Sequence, residues 1–139
     1  MDTNVLVAGF RSRLGASFEL FRRLRLGLWT AVVSNHLLFE YEEILKREAP
    51  SFDLSLSDVD QIINAVCARS EEWTLSHAWR PVLLDPDDEP LVQLAVESGC
   101  RLITTHNLRH LRPATGLNIQ VLNFWRKCQH HENAARPDP

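Results

Sequence analysis

Asp2, Glu40, Asp88 and Asn107 are the polar residues that this chain places at the exits of its apolar, strand-like runs or at the starts of the helices that follow. In open parallel sheets, functional side chains collect beyond the carboxyl ends of the strands, so these four positions are the ones to weigh for chemistry. Several converging carboxylates repel one another and are tolerated chiefly where a cation neutralises them. Oxygen donors select a hard ion, Mg²⁺ or Mn²⁺. Such an ion polarises a phosphoryl oxygen and lowers the pKa of a bound water, which points to metal-assisted phosphodiester chemistry.

Glu40 owes its place to helical geometry. Leu37, Leu38, Tyr41, Ile44 and Leu45 form one apolar stripe, and at 100° per residue Glu40 falls about 40° beyond Ile44, on the rim of the buried face. Glu43 points away from the stripe. Glu42 borders its other edge and is the rival assignment.

The elements that must position these groups follow from pattern. Thr3-Asn4-Val5-Leu6-Val7-Ala8 has the apolar, β-branched character of a short strand, followed by a helix carrying Phe18, Leu20, Phe21, Leu24 and Leu26. Trp29 to Val33 predicts a buried strand ending at Ser34, a favoured N-cap, and the helix of the stripe then runs to Pro50. Ser57-Asp58-Val59-Asp60 resembles a capping box opening a helix with Val59, Ile62, Ile63, Val66 and Cys67 on one face. Residues 71 to 81 have no regular period. Asp85-Pro86-Asp87-Asp88 predicts a turn and helix start, with Leu91 to Val96 largely buried and Gly99 closing the helix. Arg101 to Thr104 and Ile119 to Leu122 are the remaining strands, separated by a loop or short helical turn from Thr105, and Asn123 is placed to cap a short helix through Cys128. Strands alternating with helices predict an α/β domain with a mainly parallel sheet.

At 139 residues, the chain has the length of one domain. We place it at 1–128 and take 129–139 as a disordered tail. Hydrophobic residues make up 45% with five Gly and seven Pro, which excludes disordered and collagen-like classes. Cys67, Cys100 and Cys128 are odd in number and lack any C-x-x-C pair, so they are expected as small core hydrophobes of a protein in a reducing cytoplasm. No apolar run approaches the roughly 20 residues needed to cross a bilayer, and no basic, apolar leader opens the chain. The net charge of −3 hides an asymmetry: residues 1–39 carry five Arg against two acids, residues 40–100 fourteen acids against four bases, and residues 101–139 six bases against two acids. A polyanion would therefore meet the end segments, or the middle through a cation.

Four stretches together resemble the PIN-domain nucleases, in particular the toxin components of bacterial and archaeal toxin-antitoxin systems. They are Asp2-Thr3-Asn4-Val5-Leu6-Val7, the run Ser34 to Leu45, Asp85-Pro86-Asp87-Asp88 through Leu94-Ala95, and Leu102-Ile103-Thr104-Thr105-His106-Asn107-Leu108. The match covers most of the chain. It implies a three-layer α/β/α sandwich and divalent-metal-dependent endoribonuclease activity on RNA, with Mg²⁺ or Mn²⁺ as cofactor. It also implies a homodimer and an antitoxin partner that blocks the site. Asp2, Glu40 and Asp88 match the family's acidic metal positions. Asp88 is preferred to Asp85 because the family acid lies seven residues before the helix alanine, here Ala95, and Glu40 to Glu42 by its distance of six from Ser34. Thr105 could support the site through its hydroxyl.

The chain departs from that pattern in two ways. Asn107 stands where many PIN domains carry a fourth acid, and an amide can ligate through its oxygen or position a water but removes one negative charge, which favours a single tightly held ion. Asp2 almost opens the sequence, whereas the resembling proteins have several apolar residues before this acid that form the first half of a central strand. These departures support the alternative of a catalytically weak or inactive PIN-like module that binds RNA or a protein. His106 and His110 have an i, i+4 zinc spacing, but neither Glu nor a third ligand completes the motif. Aspartyl-phosphate chemistry fits poorly, because Asp2-Thr3-Asn4 is not D-x-D, Lys46 and Lys127 lie away from any late strand end, and no glycine-rich phosphate loop is present.

Overall fold

The structure is a computed structural model, described over residues 1–123. The short helix expected after Asn123 through Cys128, the tail from Gln129 and the pair His130-His131 lie outside the described residues.

The strand expected at Thr3 to Ala8 is instead the first helix, α1 (Thr3–Arg11), with Asp2 extended at its N-cap position. Thr3, Val5, Leu6, Val7 and Gly9 are all buried. An apolar run buried nearly all round does not reveal its period, and burial overrides the β preference of its valines. Helix α2 (Ala16–Arg25) packs across α1. The contact is close at Gly9, where a Cβ would come within 3.2 Å of the Ser17 backbone.

Strand β1 (Ala31–Val33) and helix α3 (Asn35–Glu48) follow the expected pattern, with Ser34 Oγ accepting from the Leu37 N–H at 3.2 Å. A 3₁₀ turn at Ala49–Phe52 leads to α4 (Leu56–Ala68). Its capping box is formed by Ser55 and Asp58, two residues before the expected Ser57. Asp58 therefore serves as the reciprocal acceptor at N3, and the same apolar face, Val59, Ile62 and Val66, is buried. Cys67 is exposed rather than in the core, because at 100° per residue it lies about 80° beyond Val59, off the edge of that face. Cys100 is half-buried.

A short strand, β2 (Ser70–Glu72), lies in the segment expected to be irregular and pairs in parallel with β1, Val32 opposite Glu71. Its exposed glutamates hide any strand pattern. The turn at Asp85 to Asp88 opens α5 (Glu89–Glu97), which ends at Ser98 with Gly99 at φ +73°, the left-handed conformation expected of a closing glycine. Strand β3 (Leu102–Thr104), helix α6 (Leu108–Leu111), a 3₁₀ stretch at Arg112–Leu117 and strand β4 (Gln120–Leu122) complete the described chain, with β3 and β4 parallel and Ile103 opposite Val121.

Helices thus flank short parallel strands in the α/β class the alternation predicts. The sheet is in two pieces, β1–β2 and β3–β4. Helix α5 packs against both β1 and β3 and so spans the two pieces. One apolar core, including Leu6, Phe21, Tyr41, Leu45, Val92 and Ile103, joins them.

Candidate metal centre

The carboxyl ends of β1 and β3, the start of α1 and the turn before α5 converge on one small cleft. Asp2, Glu40 and Asp88 line it, together with His36, Asp87 and the apolar Leu37, Pro90 and Leu91. Its volume is about 10 Å³, room for a water or a bare ion and not for an organic ligand.

Each acid is held by a neighbouring hydroxyl or charge. Thr105, fully buried beyond β3, donates from Oγ1 to Asp2 Oδ2 at 2.6 Å and accepts from the Asn107 N–H at 2.9 Å. The Asp2 N–H in turn donates to the Thr104 carbonyl at 2.9 Å. Thr3 Oγ1 donates to Glu40 Oε1 at 2.6 Å, which ties α1 to α3. Beneath them the buried Tyr41 hydroxyl donates to the Met1 carbonyl. Burial first, then the charges of Asp2 and Glu40, pushes that phenol well above its ordinary pKa.

Asp88 occupies the N-cap position of α5 without a side-chain capping bond. Its pKa is raised, by burial first and then by the carboxylates of Asp2 and Asp85, against an opposing effect of His110. His110 Nδ1 lies 3.6 Å from Asp88 Oδ2, and ligand atoms of Asp85, Asp88 and His110 all fall within 4.8 Å of one another. Asp85 Oδ1 also accepts from the Asp87 N–H at 3.0 Å, which closes the turn. A partly buried Asp88 beside the carboxylates of Asp2 and Asp85 suits a hard divalent cation, which would relieve their repulsion.

The cleft thus gathers Asp2, Glu40 and Asp88, three of the four residues singled out in the sequence. Asn107 is half-buried at the N-cap position of α6, outside the residues that line the cleft. His106 and His110 do not share a site. His106 Nε2 lies 3.0 Å from Ser17 Oγ, while His110 faces Asp88. Asp85 and His110 were not expected beside Asp88. His110 lies in α6, six residues beyond the end of β3 and close to Asp88, and its place soon after a strand exit is the signal that could have drawn attention to it.

Glu89 also went unrecognised. It is buried and accepts from Trp79 Nε1 at 2.8 Å and from the backbone N–H groups of Val82 and Leu83. It thereby fastens residues 79–83 to the first turn of α5, next to Asp88.

The family model for the PIN domain matches residues 1–109, most of the chain, and the protein belongs to the PIN-domain family. PIN domains are generally metal-dependent nucleases, and the acid-lined cleft lies within the matched region. No curated protein and no solved structure matches the chain. No helix among the described residues is long and apolar enough to cross a membrane.

Proposed function

We propose that this PIN domain is a Mg²⁺- or Mn²⁺-dependent endoribonuclease whose ion is held by Asp2, Glu40 and Asp88. The observation that carries the reading is that these three acids, from three separate stretches of the chain, line one small cleft, with Asp85 and His110 close beside Asp88. When bound, the ion supplies charge to a phosphoryl oxygen and acidifies a water. Thr105 and Thr3 hold the Asp2 and Glu40 carboxylates in place through their hydroxyls. Asn107, anchored to the same Thr105 through its backbone, is assigned to assist the metal or its water. RNA phosphates would meet the exposed Arg11, Arg13 and Arg25. Arg22 and Arg23 are bridged to Glu19 and contribute less charge to such a track.

The resemblance to toxin components extends the reading to a toxin role in the cytoplasm, a homodimer and an antitoxin partner that covers the cleft. The test is incubation of the protein with a mixed panel of structured RNAs and Mg²⁺ or Mn²⁺, with EDTA and Asp88→Asn controls and mapping of the cut ends. Metal-dependent cleavage is expected to fall at least a hundredfold in Asp88→Asn and to vanish in EDTA. RNA binding without cleavage would replace this reading with that of a non-catalytic binding module.

A further inference from the structure

The zinc-like spacing of His106 and His110 is not used as a pair, since His106 meets Ser17, but the fold brings His110 to two other side chains of ligand type. These are Asp85 and Asp88, the ends of the turn that opens α5. One ligand atom from each of the three lies within 4.8 Å of the other two. Asp85 and His110 are exposed and Asp88 is half-buried, so the group is open to an ion from solvent.

Spacing and restraint both suit a cation here. His110 Nδ1 and Asp88 Oδ2 are 3.6 Å apart, whereas a charge-assisted hydrogen bond between such atoms closes to about 2.7–2.9 Å. Neighbouring ligand atoms of a tetrahedral ion, at ligand distances of about 2.0–2.1 Å, lie about 3.3–3.4 Å apart. The turn that carries the two acids is fixed from within. The Asp88 N–H donates to the Asp85 carbonyl at 3.3 Å, and the Asp87 N–H donates to Asp85 Oδ1 at 3.0 Å, which orients that carboxylate and leaves its second oxygen for a cation. Glu89, next after Asp88, anchors the same turn to residues 79–83.

The donor set also decides the kind of ion. Carboxylates alone suit Mg²⁺ or Mn²⁺, and Mg²⁺ gives up its waters reluctantly. An imidazole nitrogen beside two carboxylates shifts the preference towards a borderline transition ion such as Zn²⁺, with water in the remaining position.

We propose that Asp85, Asp88 and His110 form a second cation site, selective for Zn²⁺ over Mg²⁺ and Mn²⁺, that adjoins the acid-lined cleft and shares Asp88 with it. Neither Asp2 nor Glu40 belongs to it. Zn²⁺ bound there claims a carboxylate that the cleft needs and sets a second positive charge beside it, so Zn²⁺ weakens the hold of the cleft on its hard ion. This antagonism rests on the reading of the cleft as a Mg²⁺ or Mn²⁺ centre, and the Zn²⁺ site itself does not.

The test measures Zn²⁺ binding to the full chain by calorimetry, with Co²⁺ as its visible-absorbing substitute, in the parent and in His110→Ala, His110→Asp, Asp85→Asn and Glu40→Gln, each first checked for a cooperative melt. His110→Ala and Asp85→Asn are expected to weaken Zn²⁺ by about tenfold or more and to abolish the Co²⁺ band, whereas Glu40→Gln should keep both. His110→Asp retains a ligand but no nitrogen, so its preference for Zn²⁺ over Mn²⁺ should fall by about tenfold or more. Mn²⁺ held by the chain is then followed by electron spin resonance as Zn²⁺ is added, with release expected in the parent and not in His110→Ala. No Zn²⁺ binding by the parent, or an affinity that ignores His110 and collapses in Glu40→Gln, would overturn the site. Mn²⁺ that stays bound while Zn²⁺ fills the site would overturn the antagonism. Zn²⁺ binding that depends on His110, in a chain that binds no Mn²⁺, would uphold the Zn²⁺ site and sink the reading of the cleft.

Discussion

Thr105 concentrates more of the proposed site than any one acid does, because its single hydroxyl donates to Asp2 and accepts from the Asn107 backbone. It is fully buried, so neither partner can exchange it for water at no cost. Thr105→Val keeps the shape and deletes both bonds. The expected loss is about 1–3 kcal/mol of stability in a denaturant titration, together with a divalent-ion affinity lower by on the order of 10-fold to 100-fold. Thr105→Ser should restore most of both. Equal Mn²⁺ affinity in the valine variant would show that Thr105 does not hold the metal-site geometry. At this scale the meeting of Asp2, Glu40 and Asp88 in one cleft was legible from their types and positions. His110 was not, because its proximity to Asp88 depends on how α6 packs and no local spacing encodes it.

Among the elements, α5 has the most demanding start. Its first turn holds the buried Glu89, whose carboxylate gathers donors from residues 79–83 while its neighbour Asp88 faces the cleft. Glu89→Gln turns one acceptor into a donor that faces N–H groups. Hydrogen bonds to a charged group contribute about 1.5–3 kcal/mol, so a stability loss near 2 kcal/mol is expected, with a shift in Trp79 fluorescence. An unchanged melt would mean that the 79–83 loop is held by other contacts.

Helix α2 supplies a pH test. Glu19, paired with Arg22 and Arg23 at 2.7 Å, has its pKa pulled down to about 2 by those two hydrogen bonds. A carboxylate depressed by folding stabilises the native state above its ordinary pKa near 4.5, and that stabilisation is lost as pH falls from there towards 2. All three side chains are partly exposed, so the effect is small and screened by salt. Melting temperatures of the parent and Glu19→Gln should differ slightly at pH 6 and converge near pH 2, or in 1 M salt. A difference that grows towards pH 2 would contradict the ion-pair account.

For the whole molecule, the cleft and the sheet are linked through α1 and α5. Two of the acids that line the cleft, Asp2 and Glu40, are connected through the start of α1, and Asp88 sits where α5 begins to span the two half-sheets. A cation bound there would tie together parts of the fold that are far apart in sequence. Binding to the native state alone stabilises by about 2.7 kcal/mol at a hundred times the Kd. Mg²⁺ or Mn²⁺ should therefore raise the melting temperature in a concentration-dependent way, without RNA present, and Asp88→Asn should lose most of the shift. A melting temperature indifferent to either ion would count against the metal centre whatever the RNA assay shows.

Local chemistry determined much of this protein. Ser34 caps α3, Gly99 closes α5, and β1, β3 and β4 lie where short apolar runs predicted strands, because caps, positive-φ glycines and apolar periodicity act over a few residues. The PIN resemblance was carried by motifs of the same short range. Tertiary structure decided the rest. Thr3 to Arg11 is a helix because neighbours on nearly every side bury it, Ser55 rather than Ser57 caps α4, and Cys67 is turned out of the core. The cleft joins residues 2, 40 and 88. Such convergence is a property of packed elements, since contacts between residues tens of positions apart leave no period or spacing in the chain to read.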